Sequence, residues 1–252
     1  MKKFVAIAVL LALFACSGKR QEIRPDWRTF NVEQSFDKAN KLIDKKDYDK
    51  ARELLLEVKS RDRSGNYAPL AQLRIADAFY AQEEWDSSIS EYKKFLDAYP
   101  DNKYASYAQY QIGMIYFNQI VDVERGYGAA EKALSEFENL KQLYPRNPYK
   151  SIVEMRINKC RDILAGYEFM VGEFYFKRKA YRGAIGRFEV VMQKYPDYRK
   201  MPQVLYMTSL SYDALGDKAN AGVYLQRLSK EYPDNSLIAK AEKEFTKKAH
   251  KK

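Results

Sequence analysis

Histidine and cysteine are almost absent from this chain: its 252 residues include one His, His250, third from the end, and two Cys. That excludes a Cys/His zinc cluster and a histidine-based catalytic triad from the folded body. Gly-x-Ser-x-Gly, His-Glu-x-x-His and phosphate-cradling glycine loops are missing as well. The carboxylates fall beside Lys and Arg, as in Glu91-Tyr92-Lys93-Lys94, in the manner of solvated helix faces. The expectation is a protein that is not an enzyme and uses no metal or other cofactor. A catalytic carboxylate pair, brought together only in space, is the alternative that the sequence leaves open.

Long apolar runs are equally scarce. The longest is Phe4 to Phe14, which follows Lys2 and Lys3 and leads into Leu13-Phe14-Ala15-Cys16-Ser17. Eleven residues cannot cross a hydrocarbon core that takes about 20 as a helix, but they suit a signal peptide. Leu-Phe-Ala-Cys resembles the bacterial lipobox, with Phe14 where a small residue is usual. Residues 1–15 therefore read as a lipoprotein signal peptide, Cys16 as the lipidated residue and 16–30 as the linker behind it. An ordinary signal peptide with an incidental Cys is the competing reading. Several acyl chains hold a protein on a membrane firmly where one does not, and Ser17 after the Cys points to the outer membrane. Lipid on Cys16 would leave Cys160 unpartnered, as a buried structural thiol in a helical stretch.

The body of the chain is organised by a repeat. Tyr-Pro recurs at Tyr99-Pro100, Tyr144-Pro145, Tyr195-Pro196 and Tyr232-Pro233. Twelve residues before each Pro stands a small residue (Ser88, Ala133, Ala184, Ala221), and eight before it a large apolar one (Tyr92, Phe137, Phe188, Leu225). A further small residue opens each unit at Ala39, Ala76, Gly113, Gly172 and Ser209, with spacings of 37, 37, 59 and 37. The 59 is accounted for by an eight-residue polar loop around Asp122 to Gly128 and by 14 residues between Pro148 and Tyr167. Small residues where two helices meet, large ones filling the groove and Pro ending the second helix are the chemistry of tetratricopeptide repeats.

The expected fold is all-α: a right-handed solenoid of five tetratricopeptide-like helix pairs, with a long helix from about Ser151 to Lys179 joining repeats 1–3 (31–149) to repeats 4–5 (150–238). Gly166 would be that helix's weakest point, and 239–252 a basic tail. Counting −3, +1 and +4 from each opening small residue, the concave wall of repeats two and three should carry Leu73, Asp77, Tyr80, Tyr110, Met114 and Phe117, with Tyr107 beside them. Rings offer large contact area at low entropy cost, which suits an extended peptide with bulky apolar side chains. Packing against neighbouring repeats is the competing use of the same residues.

The stretch from Leu164, reading Leu-Ala-Gly-Tyr-Glu-Phe-Met-Val-Gly-Glu-Phe-Tyr-Phe-Lys-Arg-Lys-Ala-Tyr-Arg-Gly-Ala-Ile-Gly-Arg-Phe-Glu, resembles the corresponding segment of the BamD family of outer-membrane lipoproteins. Asp47-Tyr48-Asp49-Lys50-Ala51 and Ala108-Gln109-Tyr110-Gln111-Ile112-Gly113 fit as well. The resemblance spans roughly residues 30 to 240. It implies a scaffold of the β-barrel assembly machinery, anchored by its N-terminal lipid to the periplasmic face of the outer membrane. Its implied partners are the barrel-forming subunit, other assembly lipoproteins and unfolded outer-membrane substrates, whose C-termini the N-terminal repeats would engage. Arg187 falls at the family's docking Arg, with Glu173 and Lys177 near it. The competing reading of Arg187 is a surface residue paired with Glu189 or Glu173. A repeat-bearing lipoprotein piloting a secretin or pilus component is the alternative function.

Nucleic acid is not an implied partner, despite a formal charge of +10. The signal peptide takes two of those charges, and residues 240–252, with six Lys and two Glu, hold half of the remainder. The rest is dispersed over helix surfaces rather than gathered in a stripe.

Overall fold

The computed structural model describes residues 30–249. The signal peptide, Cys16, the linker up to residue 29 and residues 250–252 lie outside the described residues. Within them the chain is helical throughout, in the order α1 Val32–Asp44, α2 Tyr48–Arg61, α3 Ala68–Ala81, α4 Trp85–Ala98, α5 Ala105–Asn118, α6 Tyr127–Leu143, α7 Lys150–Lys177, α8 Tyr181–Lys194, α9 Met201–Ala214, α10 Lys218–Glu231 and α11 Leu237–Ala249. Each helix packs on the next, so the pairs α1/α2, α3/α4, α5/α6, the second half of α7 with α8, and α9/α10 form the five-repeat solenoid.

The small residues do what their spacing predicts. A Cβ on Gly113 would sit 2.6 Å from Cε1 of Phe137, and one on Gly172 2.5 Å from Cε1 of Phe188. Where the position is Ala or Ser, the partner helix approaches as closely: the Ser88 hydroxyl donates to the Ala76 carbonyl (3.0 Å) and Ser209 to that of Ala221 (2.8 Å). Tyr92, Phe137 and Phe188 fill the space between and are fully buried. Each second helix of repeats two to five ends on the Tyr of Tyr-Pro, whose N–H still reaches the carbonyl four residues back; the proline then has no N–H to continue the ladder.

The turn inside a repeat has a feature that spacing alone does not reveal. The residue seven after the opening small residue takes a left-handed backbone: Lys46 (φ 62°), Glu83 (61°), Lys179 (62°) and Gly216 (85°). In repeat three a longer loop, residues 119–126, stands there instead, and α6 begins six residues before its small residue rather than three, which together absorb the eight extra residues. Asp122 organises it, its Oδ1 accepting from the N–H groups of Glu124 (3.0 Å) and Arg125 (2.9 Å) while Oδ2 receives the Arg125 guanidinium.

Helix α7 runs unbroken for 28 residues. Its first half, with Ile157, Cys160, Ile163 and Leu164, completes the core of repeat three; its second half, from Ala165 and Phe169, opens the core of repeats four and five. Gly166 is buried inside this helix, and a Cβ there would meet Val123 of the insertion at 3.3 Å, so the glycine serves a close approach.

The C-terminal segment departs from expectation. The lysine-rich composition predicts a basic tail over 239–252, whereas α11 continues to Ala249. Its Ala241 is fully buried, and Leu237, Ile238 and Phe245 pack on the last core group. A solenoid's last repeat exposes an apolar face that a terminal helix must cover, and α11 does so.

Candidate functional site

Two places stand out. The first is a cleft of about 360 Å³ on the wall formed by the first helices of repeats one to three, lined by Phe36, Leu70, Leu73, Arg74, Asp77, Tyr104, Tyr107 and Tyr149. Asp77 is its polar centre. Oδ1 accepts hydrogen bonds from the hydroxyls of Tyr92 (2.6 Å) and Tyr107 (2.9 Å), and Oδ2 meets the Arg74 guanidinium at 3.2 Å. Asn40 accepts from Arg74 Nε (2.8 Å), and Gln111 donates to the Tyr107 oxygen (2.8 Å). Burial, then the neighbouring Asp77 carboxylate, pushes Tyr107 up to about 12 and Tyr92 further still. Both phenols therefore remain donors at neutral pH. Arg74, whose side chain is 36% exposed, also lines the cleft. Apolar rings around one cation and fixed polar groups can bind an extended peptide.

Of the wall residues expected from spacing, Leu73, Asp77 and Tyr107 line this cleft, and Tyr80, Tyr110, Met114 and Phe117 do not. Tyr80 lies edge-on to Trp85 at 5.4 Å. Tyr110 stacks on Tyr149 at 4.3 Å. Met114 and Phe117 pack on the core of repeat three, with the Arg156 guanidinium 4.4 Å from the Phe117 ring centre. Phe36 holds the −3 position of repeat one, outside the two repeats counted, and spacing missed Leu70, Arg74, Tyr104 and Tyr149. Tyr149 could not be found from the repeat, since it belongs to the interrupting segment.

The second place is repeat four. Here Arg187 Nη1 donates to Glu168 Oε2 at 3.0 Å. This corrects the pairing read from sequence: Glu189 instead accepts from the Tyr212 hydroxyl (3.2 Å), and Glu173 pairs with Lys177 (3.3 Å). The Glu168 side chain is 7% exposed and that of Arg187 43%. Hydrogen bonding to Glu168 raises the Arg187 pKa above its ordinary value.

The pair has counterparts. Glu168 stands four residues before the small residue of its repeat, as Gln72 and Gln109 do, and Arg187 nine before its Pro, as Glu91 and Glu136 do. Gln72 donates to the Glu91 carboxylate (2.7 Å) and main-chain oxygen (3.0 Å), and Gln109 does the same at Glu136 (2.7 and 3.2 Å). Repeats two to four thus share one latch between their helices. In repeats two and three its outer member is a carboxylate; in repeat four it is a guanidinium over a buried carboxylate.

Burial pushes the Cys160 thiol to about 12, and among the described residues no group of three His, Cys, Asp or Glu could hold a metal ion. The helix pairs and their crossings define a tetratricopeptide-type solenoid. Residues 29–228 match the family described as "YfiO: Outer membrane lipoprotein", and the chain belongs to that family. Among its relatives is the outer membrane protein assembly factor BamD of Caulobacter vibrioides, 28% identical over 84% of this chain and 69% of that protein. The BamD proteins of Neisseria meningitidis serogroup A (27%, covering 96% of this chain and 95% of that one) and Rickettsia prowazekii (29%, 79% and 80%) are similar to it as well. Among solved structures, it is similar to the TPR2AB-domain:pHSP90-complex of yeast Sti1, with 13% identity, coverage of 87% and 86% and a TM-score of 0.47.

Proposed function

We propose that this protein is a non-catalytic scaffold of the outer-membrane β-barrel assembly complex, held at the periplasmic face of the outer membrane by lipid on Cys16. Repeat four, through Arg187 with Glu173 and Lys177 near it, docks on a periplasmic domain of the barrel-forming subunit. The cleft of repeats one to three receives an extended peptide of an unfolded outer-membrane substrate. Family membership and the BamD relatives support the assembly role; the observation that carries the docking reading is the inverted latch. A fold needs only a hydrogen-bonded pair at this position, as Gln72–Glu91 and Gln109–Glu136 provide. A half-exposed guanidinium adds a bidentate donor for a partner's carboxylate.

The test is the double variant Glu168→Gln with Arg187→Glu, which rebuilds the latch of repeats two and three at repeat four. The expected result is an unchanged melting temperature together with loss of the co-purifying barrel-forming subunit from detergent-extracted membranes. Undiminished co-purification would remove Arg187 from the interface.

A further inference from the structure

Each first helix of the solenoid has a face that packs on the preceding repeat. The residue two after the opening small residue lies on it: Ala78 is fully buried, Ile115 is 1% exposed and Ser211 is fully buried. The equivalent in repeat four is Phe174, and it is 50% exposed. The interruption explains this. Helix α6 runs antiparallel along the first half of α7, with Lys141 meeting Glu154, Glu138 meeting Arg161 and the Tyr127 ring reaching Tyr167. It begins opposite Tyr167, so beyond that point α7 has no preceding helix beside it. Met170 and Val171 are half-buried there, and Phe174 is covered only in part, by Tyr175 and by the Arg178 guanidinium 4.4 Å from its ring centre.

The start of the array gives the contrast. Among the described residues repeat one also has no helix before it, and its equivalent residue is Lys41, charged and exposed. A position left open to water takes a Lys; the internal position takes a Phe. Basic residues outnumber acidic ones around it: Lys177, Arg178, Lys179 and Arg182 crowd the α7–α8 turn, with Glu173 as the carboxylate beside Phe174. Only Lys177 among these four has an ion pair among the described residues. Arg187 extends the same field on α8.

We propose that this face of repeat four is covered in the assembled complex by a folded protein domain that presents an apolar side chain among carboxylates, with Phe174 as the central contact and Arg178 and Arg182 as the charged rim. The inference rests on the docking reading above and extends it from one guanidinium to an aromatic anchor, the residue type that carries binding energy in desolvated interface centres.

The test uses the full-length lipoprotein purified with the barrel-forming subunit, the ratio of the two proteins being measured by quantitative mass spectrometry. Phe174→Lys copies the residue used at Lys41, and Arg178→Glu with Arg182→Glu reverses the rim. Each is expected to lower the ratio about tenfold or more at an unchanged melting temperature. If Phe174→Lys keeps the wild-type ratio while the Glu168→Gln/Arg187→Glu variant loses the partner, the covered face is refuted and the docking reading stands. Loss with Phe174→Lys but not with the latch variant supports the face and removes Arg187 from it. Rim variants that lose binding to phosphatidylglycerol vesicles yet retain the partner would make this a lipid contact and overturn the proposal.

Discussion

Arg187 reaches across from α8 to place Nη1 3.0 Å from a Glu168 carboxylate that solvent scarcely touches. The two members of the pair are therefore unequal: removing the cation strands a buried charge, whereas neutralising the acid leaves a half-exposed guanidinium that water can satisfy. Arg187→Met is expected to lower stability by about 1–3 kcal/mol, the range for a buried polar group left without its partner. Glu168→Gln, which restores the residue type of Gln72 and Gln109, should cost less than about 1 kcal/mol. Urea unfolding followed by circular dichroism measures both, and equal effects would mean that Glu168 draws its stability from elsewhere.

The glycines at the repeat crossings and those on helix surfaces should respond with opposite signs. Gly113→Val and Gly172→Val push a side chain into Phe137 or Phe188, whose rings already lie 2.6 and 2.5 Å from where a Cβ would be. Overpacking of this kind costs roughly 1–3 kcal/mol. Gly186 lies within α8 with nothing within 4 Å of its would-be Cβ, so Gly186→Ala should gain roughly 0.5–1 kcal/mol of helix propensity. Thermal melts of the three variants decide the matter, and a stable Gly172→Val would refute the close helix crossing.

Alkali should destabilise the fold in part through the cleft. In the folded protein Tyr107 is pushed up to about 12 and Tyr92 higher, by burial first and the Asp77 carboxylate second. Unfolded, both ionise near 10. Groups whose folded pKa is raised contribute stability that is complete below the unfolded value and is lost as pH rises toward the folded one. Stability should hold to about pH 10 and fall between 10 and 12. The fall should be shallower in Asp77→Asn, which keeps an acceptor and removes the charge. A pH titration of the urea midpoint reads this, and identical slopes would discount the Asp77 contribution.

Most of the fold was legible because the repeat writes the same packing solution several times. Four Tyr-Pro pairs, the small residues twelve positions before each and those 24 before three of them locate the helix pairs, and the odd spacing of 59 locates both the insertion and the long α7. The sites were less legible. Position counting places a residue on the concave wall but cannot tell whether it lines a cleft or packs on a neighbour, a choice made by Tyr149 and Trp85 from outside the counted positions. The Glu168 partner of Arg187 is hidden for a similar reason: Glu189 and Glu173 lie nearer in sequence, and only the pairing of α7 with α8 shows that Glu168, further back on α7 than Glu173, meets Arg187. The registers of Gln72, Gln109 and Glu168 hold that signal once the helices are paired. Helix α11 was hidden behind its lysines, since charge composition masked Leu237, Ile238, Ala241 and Phe245 at helical spacing.

The turn within each repeat gives a last test, in which one register position shows the same backbone with different residues. Lys46, Glu83 and Lys179 hold φ near 62°, and Gly216 holds 85° in repeat five. A left-handed backbone costs a residue with a Cβ about 1–2 kcal/mol, against which a glycine's greater freedom when unfolded counts for about 0.5–1 kcal/mol. Glu83→Gly should therefore leave stability unchanged or raise it by up to about 1 kcal/mol, whereas Gly216→Ala should lower it by about 1 kcal/mol. The conformation is imposed from outside the residue: in repeat two the N–H of Glu84 reaches back to the Phe79 carbonyl (3.0 Å), and in repeat five that of Asp217 does the same to Tyr212 (3.0 Å). These closures fix where the second helix starts, and with it the register that sets Ser88 against Ala76. Calorimetry on the two variants would show the opposite-signed shifts; a Gly216→Ala protein as stable as wild type would mean that repeat five adopts a different turn.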